Sequence, residues 1–260
     1  MRSAAPVEVS LRDHVAVLTL TAAERRNVLD VPTATALQEA VERLGRDPDV
    51  RCVVITGTDG VFAAGADIRE LESASAEENL AYNRRLRASV NAVAALPMPT
   101  IAALNGHALG GGLELALACL LRVASTEAKL GLPEATLGII PATGGLARLP
   151  LLIPRTAAAE LALTGDLLSG AEAKELGLVN YAVPAAEVLD RALELAAKVA
   201  RVAPLSARAI VESLCRDGNL PIADANLRVE DRLAALLASS DRREGARAFL
   251  ERREPRFEGH

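Results

Sequence analysis

Tryptophan is absent from the chain, and three Phe and two Tyr are the only large aromatics. The core must therefore be filled by Ala, Leu, Val and Ile, which a hydrophobic content of 50% supplies. Lysine is scarce as well. Lys129, Lys174 and Lys198 are the only three among 29 basic residues, so contacts to phosphate fall to arginine. There is no basic excess, and a net charge of -5 speaks against nucleic acid or an acidic membrane surface as the main partner. The three cysteines, Cys52, Cys119 and Cys215, are odd in number and far apart. That speaks against a disulfide framework or a zinc site and leads us to expect small buried core residues in a reducing cytosol. No apolar run reaches the ~18 residues of a membrane span. The N-terminal stretch "MRSAAPVEVSLRDHVAVLTL" alternates like a strand and lacks the apolar block of a signal peptide. A cytoplasmic protein with no membrane partner is expected.

What is present reads as alternating strands and helices. "HVAVLTL" (14–20) alternates, "VRCVVITGT" (50–58) is a continuous β-branched run suited to a strand buried on both faces, and "PTIAALNG" is a second such strand. "VPTATALQEAVERLGRD" (31–47) has helical periodicity with Pro32 in its first turn, and residues 76–96 form a helix with an Arg-rich solvated face. A further helix starts near Asp67 after the small-residue loop of "GVFAAGADIREL". "LLRVAS" and "AKLGLPEATLG" read as short strand and loop, and "TGGLARLPLLI" as a helix entered through glycines. "TAAAELALTGDLLSGAEAKELGLVNYAVP" holds two short helices and a strand, and from about Ala185 the pattern is helical. The first ~180 residues fall in the α/β class, and the last ~60 form an amphipathic helical appendage suited to packing on the core or on another subunit.

Three segments carry chemistry. In "NGHALGGGLELALACLL" (105–121) three glycines run into an apolar helix, and Glu114 interrupts it. The first amides of a helix have no intrahelical partner, so the Gly111 N–H can point at a ligand with the positive end of the helix dipole behind it. Glu114 lies three residues on, on the same face, with its side chain leaning back toward the helix start. One helical turn thus aims a donor and a base at nearly the same point. Two other readings stand beside this one: Glu114 as a first-turn dipole partner with glycines that only permit close packing, and a dinucleotide-binding turn, for which the G-x-G-x-x-G spacing is wanting.

"FAAGADI" (62–68) is a second strand-to-helix corner, with Asp67 as a candidate N-cap. Two such corners can supply two N–H donors to one oxygen, although each alone also reads as an ordinary turn. In "GLPEATLGIIPATGG" (131–145) Glu134 stands in a loop among apolar neighbours, where it is either solvated or raised in pKa and proton-donating. Two glutamates in unlike environments would form an acid/base pair. His14, His107 and His260 lack metal-ligand companions at helical spacing, and we treat His107, which flanks the glycines, as structural.

With "VFAAGADI", "PTIAALNGHALGGGLELALAC", "AKLGLPEATLGIIPATGGLARL", "LTGDLLSGAEAKELGLVN" and "SSDRREGARAFLERREPRF" in this order, the chain resembles the crotonase superfamily, specifically the enoyl-CoA hydratases. The resemblance spans nearly the whole sequence. It implies an α/β spiral of ββα units over residues 1–200 and a helical trimerisation region over 201–260, assembled as a homo-oligomeric trimer or a hexamer of two trimers. It also implies an acyl-CoA thioester substrate, a role in fatty acid metabolism, and no cofactor beyond the coenzyme A that the substrate carries.

Carried over position by position, the resemblance puts the oxyanion amides on Ala66 and Gly111 and the catalytic glutamates on Glu114 and Glu134. Coenzyme A and substrate contacts fall on Arg26, Ala64, Asp67, Ile68, Arg69, Gly110, Pro133 and Leu137, with Leu137 in the wall of the acyl pocket. The implied reaction adds water across the 2,3 double bond of a trans-2-enoyl-CoA. Methylglutaconyl-CoA hydration and double-bond isomerisation are the alternatives on the same fold, and a non-catalytic CoA- or RNA-binding scaffold leaves the two glutamates unexplained. The chain departs from the common pattern at "TAAERRNVL", where many relatives have an Asn-Arg-Pro start, and at Leu120, where relatives commonly carry Asp.

Overall fold

A computed structural model describes residues 5–260, so the first four residues of the strand-like N-terminal stretch lie outside it. A hairpin of β1 (Val7–Arg12) and β2 (Val15–Leu20) leads into α1 (Val31–Arg46). The next three units each pair one longer strand with a three-residue one. β3 (Cys52–Gly57) and β4 (Val61–Ala63) precede α2 (Ile68–Ser73) and α3 (Ala76–Ala94). β5 (Thr100–Leu104) and β6 (His107–Leu109) precede α4 (Gly111–Ala118). β7 (Leu121–Ser125) and β8 (Lys129–Gly131) precede a 3-10 turn over Pro133–Leu137. Then come α5 (Gly145–Arg148), α6 (Arg155–Thr164), β9 (Leu168–Ser169), α7 (Gly170–Glu175), β10 (Tyr181–Val183) and α8 (Val188–Ala200). Three helices end the chain: α9 (Pro204–Cys215), α10 (Ile222–Ala238) and α11 (Ser240–Glu251).

Each unit sends its two strands to different sheets. The six-stranded sheet runs β1-β2-β3-β5-β7-β10, antiparallel in its first pair and parallel thereafter. The four-stranded sheet runs β4-β6-β8-β9 and ends in the antiparallel pair β8–β9. This is the spiral of ββα turns that the resemblance implied. β4, β6 and β8 all fell within stretches read from the sequence as loop or left unassigned. At three residues each they are too short to show an alternating pattern.

The core explains the composition. α8 buries Val188, Ala192, Ala196 and Ala200, one residue per turn, against Cys52, Val54, Ile101 and Val123 of the six-stranded sheet. Alanine at that spacing lets the helix lie close to the sheet. The opposite sheet face packs Leu18, Val53 and Ile55 with Phe62 of β4, Leu37 and Val41 of α1, and Val90 of α3. α1 starts where expected: the Asp30 side chain accepts the Thr33 amide at 2.8 Å and Pro32 sits in the first turn. "TGGLARLPLLI" differs from the expected helix. Only Gly145–Arg148 is α-helical, and a 3-10 turn follows at Leu149–Leu151, because Pro150 cannot donate its backbone N–H to a continuing helix. Cys52 and Cys119 are buried as expected, but Cys215 is exposed. The reason is that α9 buries only Ala207 and Val211, and its last turn runs beyond the covered face.

Glycine governs how α4 meets the second sheet. A Cβ built on Gly112 would lie 2.1 Å from the Ala63 carbonyl oxygen of β4, with rigid backbone on the other side. Helix propensity alone would make Gly112→Ala stabilising by ~1 kcal/mol. We predict the reverse, a loss of ~2 kcal/mol, because overpacking against backbone outweighs propensity. A urea midpoint equal to or above that of the parent protein would show that the contact yields.

Candidate active site

β4 and β6 deliver the chain to two adjacent corners. Gly65 (φ +85) and Gly110 (φ +53) turn the backbone there through conformations that side-chain-bearing residues avoid. A Cβ on Gly65 would lie 2.7 Å from the Leu109 carbonyl oxygen and 3.1 Å from the Gly111 nitrogen, so the corners meet backbone to backbone. Among the described residues, neither the Ala66 nor the Gly111 amide donates to a protein acceptor. The Ala64 amide donates to the Arg26 carbonyl at 3.0 Å and the Leu29 amide to the Gly65 carbonyl at 2.9 Å. The "ERRNVL" segment therefore borders the first corner.

All eight residues of α4 are buried, and Glu114 is 2% exposed. A carboxylate in that position is costly unless donors meet it. Three do. The Thr143 and Gly145 amides donate to Oε1 at 2.8 and 2.7 Å, and the Thr143 hydroxyl donates to Oε2. Gly145 has no side chain because a Cβ there would lie 3.0 Å from that same Oε1. Arg148 holds the loop from behind, with Nη1 donating to the Thr143 carbonyl at 3.3 Å and Nη2 to Asn91 Oδ1 at 2.8 Å. Burial pulls the Arg148 guanidinium below its ordinary pKa, and the charge of Glu114 opposes the shift.

Glu134 is set differently. It lies on the 3-10 turn after β8, half-buried, with Oε1 3.0 Å from where a Cβ on Gly110 would stand. Its Oε2 is buried and accepts no hydrogen bond among the described residues. Desolvation by burial pushes its pKa up to about 7. Its own backbone amide pulls the other way, and the Glu114 charge adds to the rise. The direction agrees with the apolar setting of "GLPEATLGII". The structure thus brings Gly110, Gly111, Glu114 and Glu134 together, with Ala66 on the neighbouring corner.

The residues expected around coenzyme A are more dispersed. Asp67 caps α2 as anticipated, accepting the Arg69 amide at 2.9 Å. The Arg69 guanidinium turns back onto the Asp67 carboxylate, with Nε at 3.2 Å and Nη2 at 3.0 Å. Arg26 is exposed with φ 55, and Ile68 and Leu137 are 50% and 52% exposed. Pro133 opens the turn that carries Glu134. A cavity of about 370 Å³ beside the first corner is lined by Val31, Asp67, Leu71, Ala74, Asn79 and Tyr82 among others. A second, of about 740 Å³, lies against the C-terminal tail around Asp241, Glu244 and Arg253 and shares no residue with the glutamate pair. His107 is structural: its Nδ1 accepts the Lys129 amide at 2.9 Å and ties β6 to β8. Sequence reasoning passed over Thr143, Gly145, Arg148 and Asn91. The only signal was the small, glycine-flanked "PATGG" following Glu134.

The enoyl-CoA hydratase/isomerase family model matches residues 11–260, and the chain belongs to that family of the crotonase superfamily. It is therefore an enzyme of this superfamily by descent. Among relatives, the human enoyl-CoA hydratase domain-containing protein 2, mitochondrial, is 43% identical over 240 residues, covering 90% of this chain and 82% of its own. Human methylglutaconyl-CoA hydratase, mitochondrial, is 38% identical over 250 residues, covering 94% of this chain and 74% of its own. The crystal structure of an enoyl-CoA hydratase from Bacillus anthracis superposes with a TM-score of 0.96 at 35% identity, covering 98% of this chain and 100% of that one.

The raised pKa of Glu134 makes a stability prediction. The advantage of its neutral form is fully present below the ordinary value of 4.5 and is lost as the pH rises through about 7. Glu134→Gln keeps the neutral shape and does not ionise. Its melting temperature should exceed that of the parent protein by a margin that widens between pH 4.5 and pH 8. A margin independent of pH would mean that Glu134 is not desolvated.

Proposed function

We propose that this protein is an enoyl-CoA hydratase, adding water across the 2,3 double bond of a trans-2-enoyl-CoA to give a 3-hydroxyacyl-CoA in fatty acid metabolism. The Ala66 and Gly111 amides donate to the thioester oxygen and stabilise the enolate that develops there. Glu114 accepts a proton from water as the water oxygen bonds to C3. The π electrons of the double bond move into the enolate, and Glu134 delivers a proton to C2. Arg26, Ala64, Asp67, Ile68 and Arg69 border the coenzyme A moiety at the first corner. Gly110, Pro133 and Leu137 flank the acyl end. The reading needs no cofactor besides the coenzyme A that the substrate carries.

One observation carries it: the two carboxylates are in opposite states of provision. Glu114 has three donors aimed at its oxygens, as a proton acceptor requires, whereas Glu134 has a bare, buried oxygen and a pKa near 7, as a proton donor requires. Isomerisation needs only a single base and leaves this pairing without a purpose.

Glu114→Gln and Glu134→Gln should each cut hydration of crotonyl-CoA by at least ~10²-fold, read as loss of the conjugated enoyl absorbance. In the parent protein kcat/KM should fall as the pH rises through about 7, where free Glu134 ionises. A parent protein that shifts the double bond of a 3-enoyl-CoA but adds no water to crotonyl-CoA would make it an isomerase. A strong preference for 3-methylglutaconyl-CoA over crotonyl-CoA would make it a branched-chain hydratase.

A trimer, or a hexamer of two trimers, belongs to the same reading. α10 has no buried residue, yet Ile222, Leu227, Leu233 and Leu237 are all more than half exposed. An apolar helix of this length is not left to water. Sedimentation at micromolar concentration should give a trimeric or hexameric mass, and a monomer would overturn the assembly.

A further inference from the structure

The Glu114 carboxylate is held by more than its backbone donors. The two amides that meet it, from Thr143 and Gly145, both end on Oε1. The terminal torsion of a glutamate is broad and lacks sharp wells, and because the carboxylate is rigid, a donor on Oε2 adds a second point that resists its rotation. The donor that reaches Oε2 is the Thr143 hydroxyl. Thr143 is itself 1% exposed, its β-branched side chain has few rotamers, and its carbonyl is held by Arg148 at 3.3 Å. Arg148 is in turn held by Asn91 of α3 at 2.8 Å.

We propose that Thr143 is a positioning residue for hydration. Its hydroxyl is the second anchor that fixes the plane of the Glu114 carboxylate, leaving the remaining Oε2 lone pair directed at the water to be activated. The two glutamates are then unequal by construction, one locked through a threonine hydroxyl and the other bare. The proposal rests on the reading of Glu114 as the base, and the experiment separates the two.

The test compares Thr143→Val, which keeps the shape and removes the donor, with Thr143→Ser, which keeps the donor. Thr143→Ala serves where the valine variant does not fold. Thr143→Val should lower kcat for crotonyl-CoA hydration about tenfold with KM little changed, the size expected for a hydrogen bond to a charged group. Thr143→Ser should restore kcat. In a Glu114→Gln background Thr143→Val should cost nothing further, since the group it positions is gone. The proposal is overturned by a valine variant with parental kcat alongside an inactive Glu114→Gln. It is equally overturned by a serine variant as impaired as the valine one, or by independent losses in the double variant. A fully active Glu114→Gln overturns the reading of Glu114 as the base, and this proposal with it.

Discussion

Everything in this molecule that bears on chemistry depends on two stretches of backbone coming closer than any side chain permits. β4 and β6 lie side by side in the small sheet, and the corners that follow them touch through Gly65, Leu109 and Gly111, while Gly112 lies against the Ala63 carbonyl. With ordinary residues at these points the corners would separate. The Ala66 and Gly111 amides would then diverge, and α4 would start farther from the sheet. A helix entered through glycines pays a penalty in propensity. Here the surrounding sheet and helices impose that start, and the reward is a backbone surface that a ligand can approach.

The same closeness sets the electrostatics. α4 is buried on every side, so the carboxylate of Glu114 is tolerated only because the 143–145 loop folds over it with two amides and a hydroxyl. Gly110, one residue before the helix, leaves room for Glu134 from the turn after β8. Both carboxylates are therefore drawn to one place by glycines, and the difference between them comes from what else reaches each. Glu114 is met by donors. Glu134 is met by apolar surroundings and by the negative charge of its partner, and its pKa rises accordingly.

Much of this was legible from the residues. The buried β3 and β5 follow from β-branched runs, α1 from its cap and proline, and α4 with its embedded glutamate from three glycines ahead of an apolar segment. The second sheet was not legible, since its strands β4, β6 and β8 have three residues each and no room for a period. Thr143 was invisible for another reason. Its partner lies 29 residues earlier in the chain, and a threonine in a loop has no local pattern that separates a donor to a buried carboxylate from a solvated hydroxyl. The exposure of Cys215 escaped for a similar reason, because the periodicity of α9 does not say how far its partner helix extends.

The two carboxylates also differ in what carries them. Glu114 belongs to a helix enclosed by the core, whereas Glu134 stands at the head of a turn whose next residues, 135–140, are all exposed. A change of sequence in that rim leaves the enclosed helix untouched, whereas almost any change around Glu114 meets close-packed neighbours. The scaffold therefore divides its chemistry into an inherited half and an adjustable half. A lineage built on it can redraft one short surface turn while the helix that carries Glu114 is passed on intact.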